Sequence, residues 1–92
     1  VRSSTSVGAH YRAACRAKSR RDFFNKLKIV EEEANETIFW LEMIEESGLL
    51  NSAKVANIKK EVDEILATAV ASIKTVRKQM NGESKERLKL NL

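Results

Sequence analysis

Between Phe23 and Ile44, and again between Val55 and Met80, apolar residues recur in alternating steps of three and four, and no proline interrupts either run. That period belongs to the α-helix, so the sequence predicts two long amphipathic helices. In the first, Phe23, Leu27, Val30, Ala34, Thr37, Leu41 and Ile44 form one stripe. In the second, Val55, Ile58, Val62, Ile65, Ala69, Ser72, Val76 and Met80 form another. Ser19, with Asp22 three residues on, resembles a capping box in which Asp replaces the usual Glu or Gln, and Gly48 suits a left-handed stop. These signals bound a helix at about residues 20–47. Asn51 suits the N-cap of the next helix, and Asn81-Gly82 is expected to end it. A shorter helix is predicted over residues 6–17 from Val7, Tyr11 and Ala14, with small Gly8, Ala9, Ala13 and Cys15 between them. The fold class is therefore all-α. Residues 1–82 form one helical domain, and residues 83–92 a charged tail, read as frayed helix or disordered chain.

Two helices of this length joined by a short loop must pack as an antiparallel hairpin. Phe24, Ile38, Phe39 and Trp40 lie beside the first stripe, and Leu66, Val70 and Ile73 beside the second, so the apolar arc is wider than two facing helices cover. A chain of 92 residues hides only about 60–65% of its unfolded surface. A further helix is expected to complete the bundle, either preceding this stretch or supplied by another copy. The apolar pattern is already under way near Val1, which favours a preceding segment. Ile38, Phe39 and Trp40 are the candidate anchor between subunits, with packing against that preceding helix as the alternative.

The net charge of +4 is unevenly distributed. Residues 1–28 carry +7, residues 29–64 carry −7 and residues 65–92 carry +4. Arg12, Arg16, Lys18, Arg20, Arg21 and Lys26, with Lys28 beside them, are the candidate nucleic-acid-binding residues, because clustered cations attract phosphate. The competing reading sets these cations against the acidic zone of a neighbouring subunit. Aromatic residues are not interleaved with them, so stacking on single strands is not indicated. The one cysteine, Cys15, permits no internal disulfide, and no apolar stretch approaches a membrane span or the core of a secretory signal. A cytoplasmic location is expected, with no membrane partner.

The sequence offers little to an enzyme. His10 and Cys15 are five residues apart, about 140° around a helix, and a second histidine is lacking. Cys15 is expected to be a small packing residue, and His10 a surface or interhelical one. Glu31, Glu32, Glu33 and Glu36 lack the Glu-x-x-His partner of bundle metal sites. They read as a solvated face, with Glu33 and Glu36 turned toward basic residues of a neighbour. Asn35-Glu36-Thr37 has the letters of a glycosylation acceptor but lies mid-helix, and Gly8, Gly48 and Gly82 are too isolated for a phosphate loop. No catalytic residue, metal or cofactor is expected, and no small-molecule substrate is evident.

The ordered series Arg2-Ser3-Ser4-Thr5-Ser6-Val7-Gly8-Ala9, Tyr11-Arg12-Ala13-Ala14, Ser19, Asp22-Phe23, Lys26-Leu27, Glu32-Glu33-Ala34, Glu36-Thr37 and Trp40-Leu41-Glu42 resembles the 23S ribosomal RNA intervening-sequence proteins, the S23-type four-helix-bundle family. The resemblance is close over residues 2–50 and extends to the next helix by pattern alone. It implies an up-and-down four-helix bundle of bacterial origin, with three helices in this stretch and one preceding it. It also implies ring-like homo-oligomers, pentamers among them, without enzymatic activity. His10 and Ala13 depart from the Asn and Glu that members carry there, which bears on any polar contact made at those positions. The resemblance and the charge pattern together predict a non-enzymatic homo-oligomer that binds RNA or a ribonucleoprotein. The alternative is an oligomeric scaffold that recruits a protein such as a reverse transcriptase without touching RNA.

Overall fold

The structure, a computed structural model, describes the backbone of residues 5–90 and the side chains of residues 5–82. Three helices make up the described chain, α1 (Ser6–Ala14), α2 (Arg20–Ser47) and α3 (Ser52–Leu90), and no strand occurs among the described residues.

Each boundary has a local cause. Thr5 opens α1 by accepting the Gly8 N–H at 3.2 Å on its hydroxyl oxygen, a start signal not recognised in the sequence. The helix ends at Ala14, three residues short of the expected limit, because the chain must reverse before Ser19. Arg16 N–H donates to Ala13 C=O and Ala17 N–H to Ala14 C=O, tight turns that exhaust the helix. Ser19, in extended conformation, accepts the Asp22 N–H at 3.0 Å and starts α2 where the sequence places it. Gly48 closes α2 at φ 70°, in the left-handed region. Asn51 Oδ1 accepts the Ala53 N–H at 2.9 Å and starts α3.

The end of α3 differs from expectation. Its backbone stays helical through Asn81-Gly82 to Leu90. A glycine within a helix costs only about 1 kcal/mol and stops it only by adopting a left-handed conformation, which Gly82 does not do. The charged stretch expected as a tail thus continues the helix to residue 90; its side chains, and residues 91–92, lie outside the described residues, as do residues 1–4.

Helices α2 and α3 form the expected antiparallel hairpin, tied near the loop by Lys59 to Glu42 at 3.3 Å. At the far end Arg77 lies over the Phe24 ring, 5.7 Å from its centroid. Helix α1 lies antiparallel against the first half of α2. One core joins Val7 and Ala14 of α1, Leu27, Val30 and Ala34 of α2, and Val62, Ile65, Ala69 and Ile73 of α3. Leu41 and Val55 are buried nearer the loop. Thr37, a polar member of the stripe, donates its hydroxyl to Glu33 C=O at 2.8 Å, which satisfies it inside the helix. At nine residues against twenty-eight, α1 leaves the loop half of the hairpin uncovered. The molecule measures 63 Å along its length.

Candidate nucleic-acid interface and exposed apolar face

The candidate cations do not share one face. Arg16, Lys18, Arg20 and Arg21 are exposed around the α1–α2 turn and the start of α2, while Arg12 and Lys26 are half-buried. Lys26 pairs with Asp22 at 3.2 Å, one turn back on α2. It stands five residues after Arg21, about 140° around the helix, so the two point to opposite flanks. Lys28 is held by Glu31 at 3.0 Å. The expected single ridge is therefore two groups of cations separated by the body of α2.

Glu33 is engaged within its own chain. Its carboxylate accepts the Ser6 hydroxyl at 2.7 Å and meets His10 Nδ1 at 2.5 Å, both on α1 of the same chain. His10 is thus interhelical. Cys15, expected to pack, is exposed beyond the last turn of α1. Tyr11 is pushed above the usual phenol range first by burial and then by the neighbouring Cys15. No three His, Cys, Asp or Glu side chains among the described residues converge on a metal-sized site. An open concavity of about 580 Å³ lies beside the α1–α2 turn, floored by Ala14, Phe23 and Val76 and rimmed by Lys18, Arg20 and Gln79.

Of the three expected interface residues, Phe39 and Trp40 are each 57% exposed, whereas Ile38 is half-buried at the edge of the core of its own chain. The two exposed rings meet edge to face, centroids 5.8 Å apart. Ile29, Met43, Leu49 and Leu50 are exposed as well and were missed in the sequence. The signal was present: Trp40 and Met43 stand eleven and fourteen residues after Ile29, which returns both to within about 40° of its direction around α2. This second stripe lies opposite the first.

The family model described as 23S rRNA-intervening sequence protein matches residues 1–71. The chain belongs to that family. The 23S rRNA-intervening sequence match takes in α1, α2 and half of α3, further than the sequence series quoted above. A crystal structure at 1.70 Å of a protein with unknown function from the S23 ribosomal protein family, from Bacteroides thetaiotaomicron VPI-5482, is similar to the chain at 40% identity. The superposition has a TM-score of 0.67 and covers 76% of this chain and 65% of that one. The chain thus spans about two thirds of the length of its solved relative. None of the curated proteins matches it significantly. Neither description names a reaction for the 23S rRNA-intervening sequence family. No helix among the described residues is long and apolar enough to cross a membrane.

Proposed function

We propose that the chain is a non-enzymatic, cytoplasmic module that completes a four-helix bundle, assembles with copies of itself and binds RNA or a ribonucleoprotein through its cations. The observation that carries the assembly is the second apolar stripe on α2, where Ile29, Phe39, Trp40 and Met43 remain exposed together. Contiguous apolar surface of this kind marks an interaction face, and paired aromatic rings are suited to anchor one. Family membership, with its link to ribosomal RNA, and the exposed cations at the α1–α2 turn support the RNA reading.

The assembly is tested by sedimentation of the wild type beside a Phe39→Ser, Trp40→Ser double variant. Self-association should be lost in the variant, and a wild type that sediments as a monomer at all concentrations rejects the reading. The RNA contact is tested by titrating RNA at graded salt, where phosphate binding weakens steeply as salt rises.

A further inference from the structure

The contact between Arg77 and Phe24 brings together cations that are far apart in sequence. Phe24 stands near the start of α2, with Arg20 and Arg21 one turn before it and Lys28 one turn after. Arg77 stands on α3, with Lys74 one turn before it and Lys78 beside it. With the Arg77 guanidinium 5.7 Å from the Phe24 ring centroid, these two groups meet across the hairpin. Arg20, Arg21, Lys74, Arg77 and Lys78 are all exposed. Among the described residues, no carboxylate pairs with Arg21, Lys74 or Lys78.

This face is distinct from the flank on which α1 rests. Helix α1 reaches Glu33 through Ser6 and His10, and Glu33 lies nine residues from Phe24, about 180° around α2. The patch therefore lies open on the side of the hairpin away from α1. Its cations stand on two neighbouring helices, whose axes lie about 8–10 Å apart. On α3, Lys74 and Lys78 stand one helical turn apart, about 6 Å along the axis.

We infer that this two-helix face, built by Arg21 of α2 with Lys74, Arg77 and Lys78 of α3, binds the phosphate backbone of double-helical RNA. Cations carried on two neighbouring helices can reach two phosphate strands, whose charges recur at short, regular intervals. Arg77 occupies the face of Phe24, which removes the one ring of the patch from base stacking, so single-stranded RNA finds no platform. The cation–π contact also restrains the guanidinium on this face. The inference rests on the RNA reading above and specifies the surface and the form of RNA.

The test is a titration of a short blunt RNA duplex, a single strand of one of its sequences and the matching DNA duplex, each at several salt concentrations. The wild type is compared with an Arg21→Glu, Lys74→Glu, Lys78→Glu variant and with an Arg16→Glu, Lys18→Glu variant at the α1–α2 turn. Duplex RNA should bind the wild type more tightly than the single strand. The first variant should lose about tenfold or more in affinity, and its salt slope should fall by about 2–3, close to one for each lost phosphate contact. The turn variant, at cations that also support the RNA reading above, should lose less affinity than the first. If only the turn variant loses affinity, RNA binding stands and this face is wrong. If the single strand or the DNA duplex binds better than duplex RNA, the assignment to double-helical RNA is overturned. Absence of binding by the wild type in every arm removes both readings. Circular dichroism checks folding, and Lys74→Gln with Lys78→Gln repeats the comparison if the charge reversal unfolds the chain.

Discussion

Glu33 and His10 join α2 to α1 through a contact of 2.5 Å between carboxylate and Nδ1, and the same carboxylate also takes the Ser6 hydroxyl. A helix of nine residues has little stability alone. Its docking rests on Val7 and Ala14 in the core and on this polar tie at its outer edge.

Replacing Glu33 by Ala removes both polar contacts at once. A loss of about 1 kcal/mol is expected, because the pair is partly exposed and solvent screens it. Native-state hydrogen exchange should localise the change to α1, with its amides exchanging faster while the α2–α3 core is unaffected. Uniform destabilisation of all three helices is the outcome that contradicts this.

Leu27 is fully buried where all three helices meet. Leu27→Ala should destabilise the fold by about 2–5 kcal/mol through lost burial and the cavity left behind. Leu49→Ala, at a residue 82% exposed, should change the midpoint of chemical denaturation little by comparison.

Two glycines should respond to the same substitution with opposite signs. An alanine side chain meets nothing within 4 Å at Gly48 or at Gly82, so sterics do not decide the matter. At Gly48, with φ 70°, an L side chain strains the backbone, and a loss of about 1–2 kcal/mol is expected. Gly82 is helical, so alanine there should stabilise α3 by about 0.5–1 kcal/mol. Paired thermal melts check both, and a destabilising Gly82→Ala would contradict a helix continuing through that position.

Tyr11 ties stability to alkaline pH. Burial raises its pKa above the ordinary value of 10.0, so the folded state holds the phenol proton more tightly than the unfolded chain. That contribution is complete below pH 10.0 and is lost as pH rises through the folded value. Tyr11→Phe should therefore flatten the fall in stability above about pH 10, measured as the wild-type minus variant difference so that lysine titration cancels.

The sequence and the structure agree most closely where local chemistry decides. Ser19, Gly48 and Asn51 each cap a helix through atoms a few residues away, so α2 and the start of α3 were legible from short patterns. The buried stripe was legible too, since Leu27, Val30, Ala34 and Leu41 recur at the helical period and all lie inside. The end of α1 was not, because the need to reverse direction before Ser19 is a demand of packing. Gly82 misled for a related reason: the same residue ends a helix or continues one according to a dihedral angle that the letter does not fix.

The candidate site divides in the same way. Phe39 and Trp40 were recognisable as surplus apolar surface, and the helical period itself sets Ile38 on the core side, eleven residues after Leu27 and about 20° from it around α2. The cations were countable in the sequence, and spacing alone separates Arg21 from Lys26 around α2, but their grouping across helices was not legible, since Phe24 and Arg77 are remote in the chain and touch.

By itself, then, the sequence determined the helical class, the positions of the two long helices and the face that each buries, because period and capping act over a few residues. Only the tertiary structure decided which charges share a surface and which partner Glu33 takes, because those depend on how helices distant in the chain are rotated and set against one another.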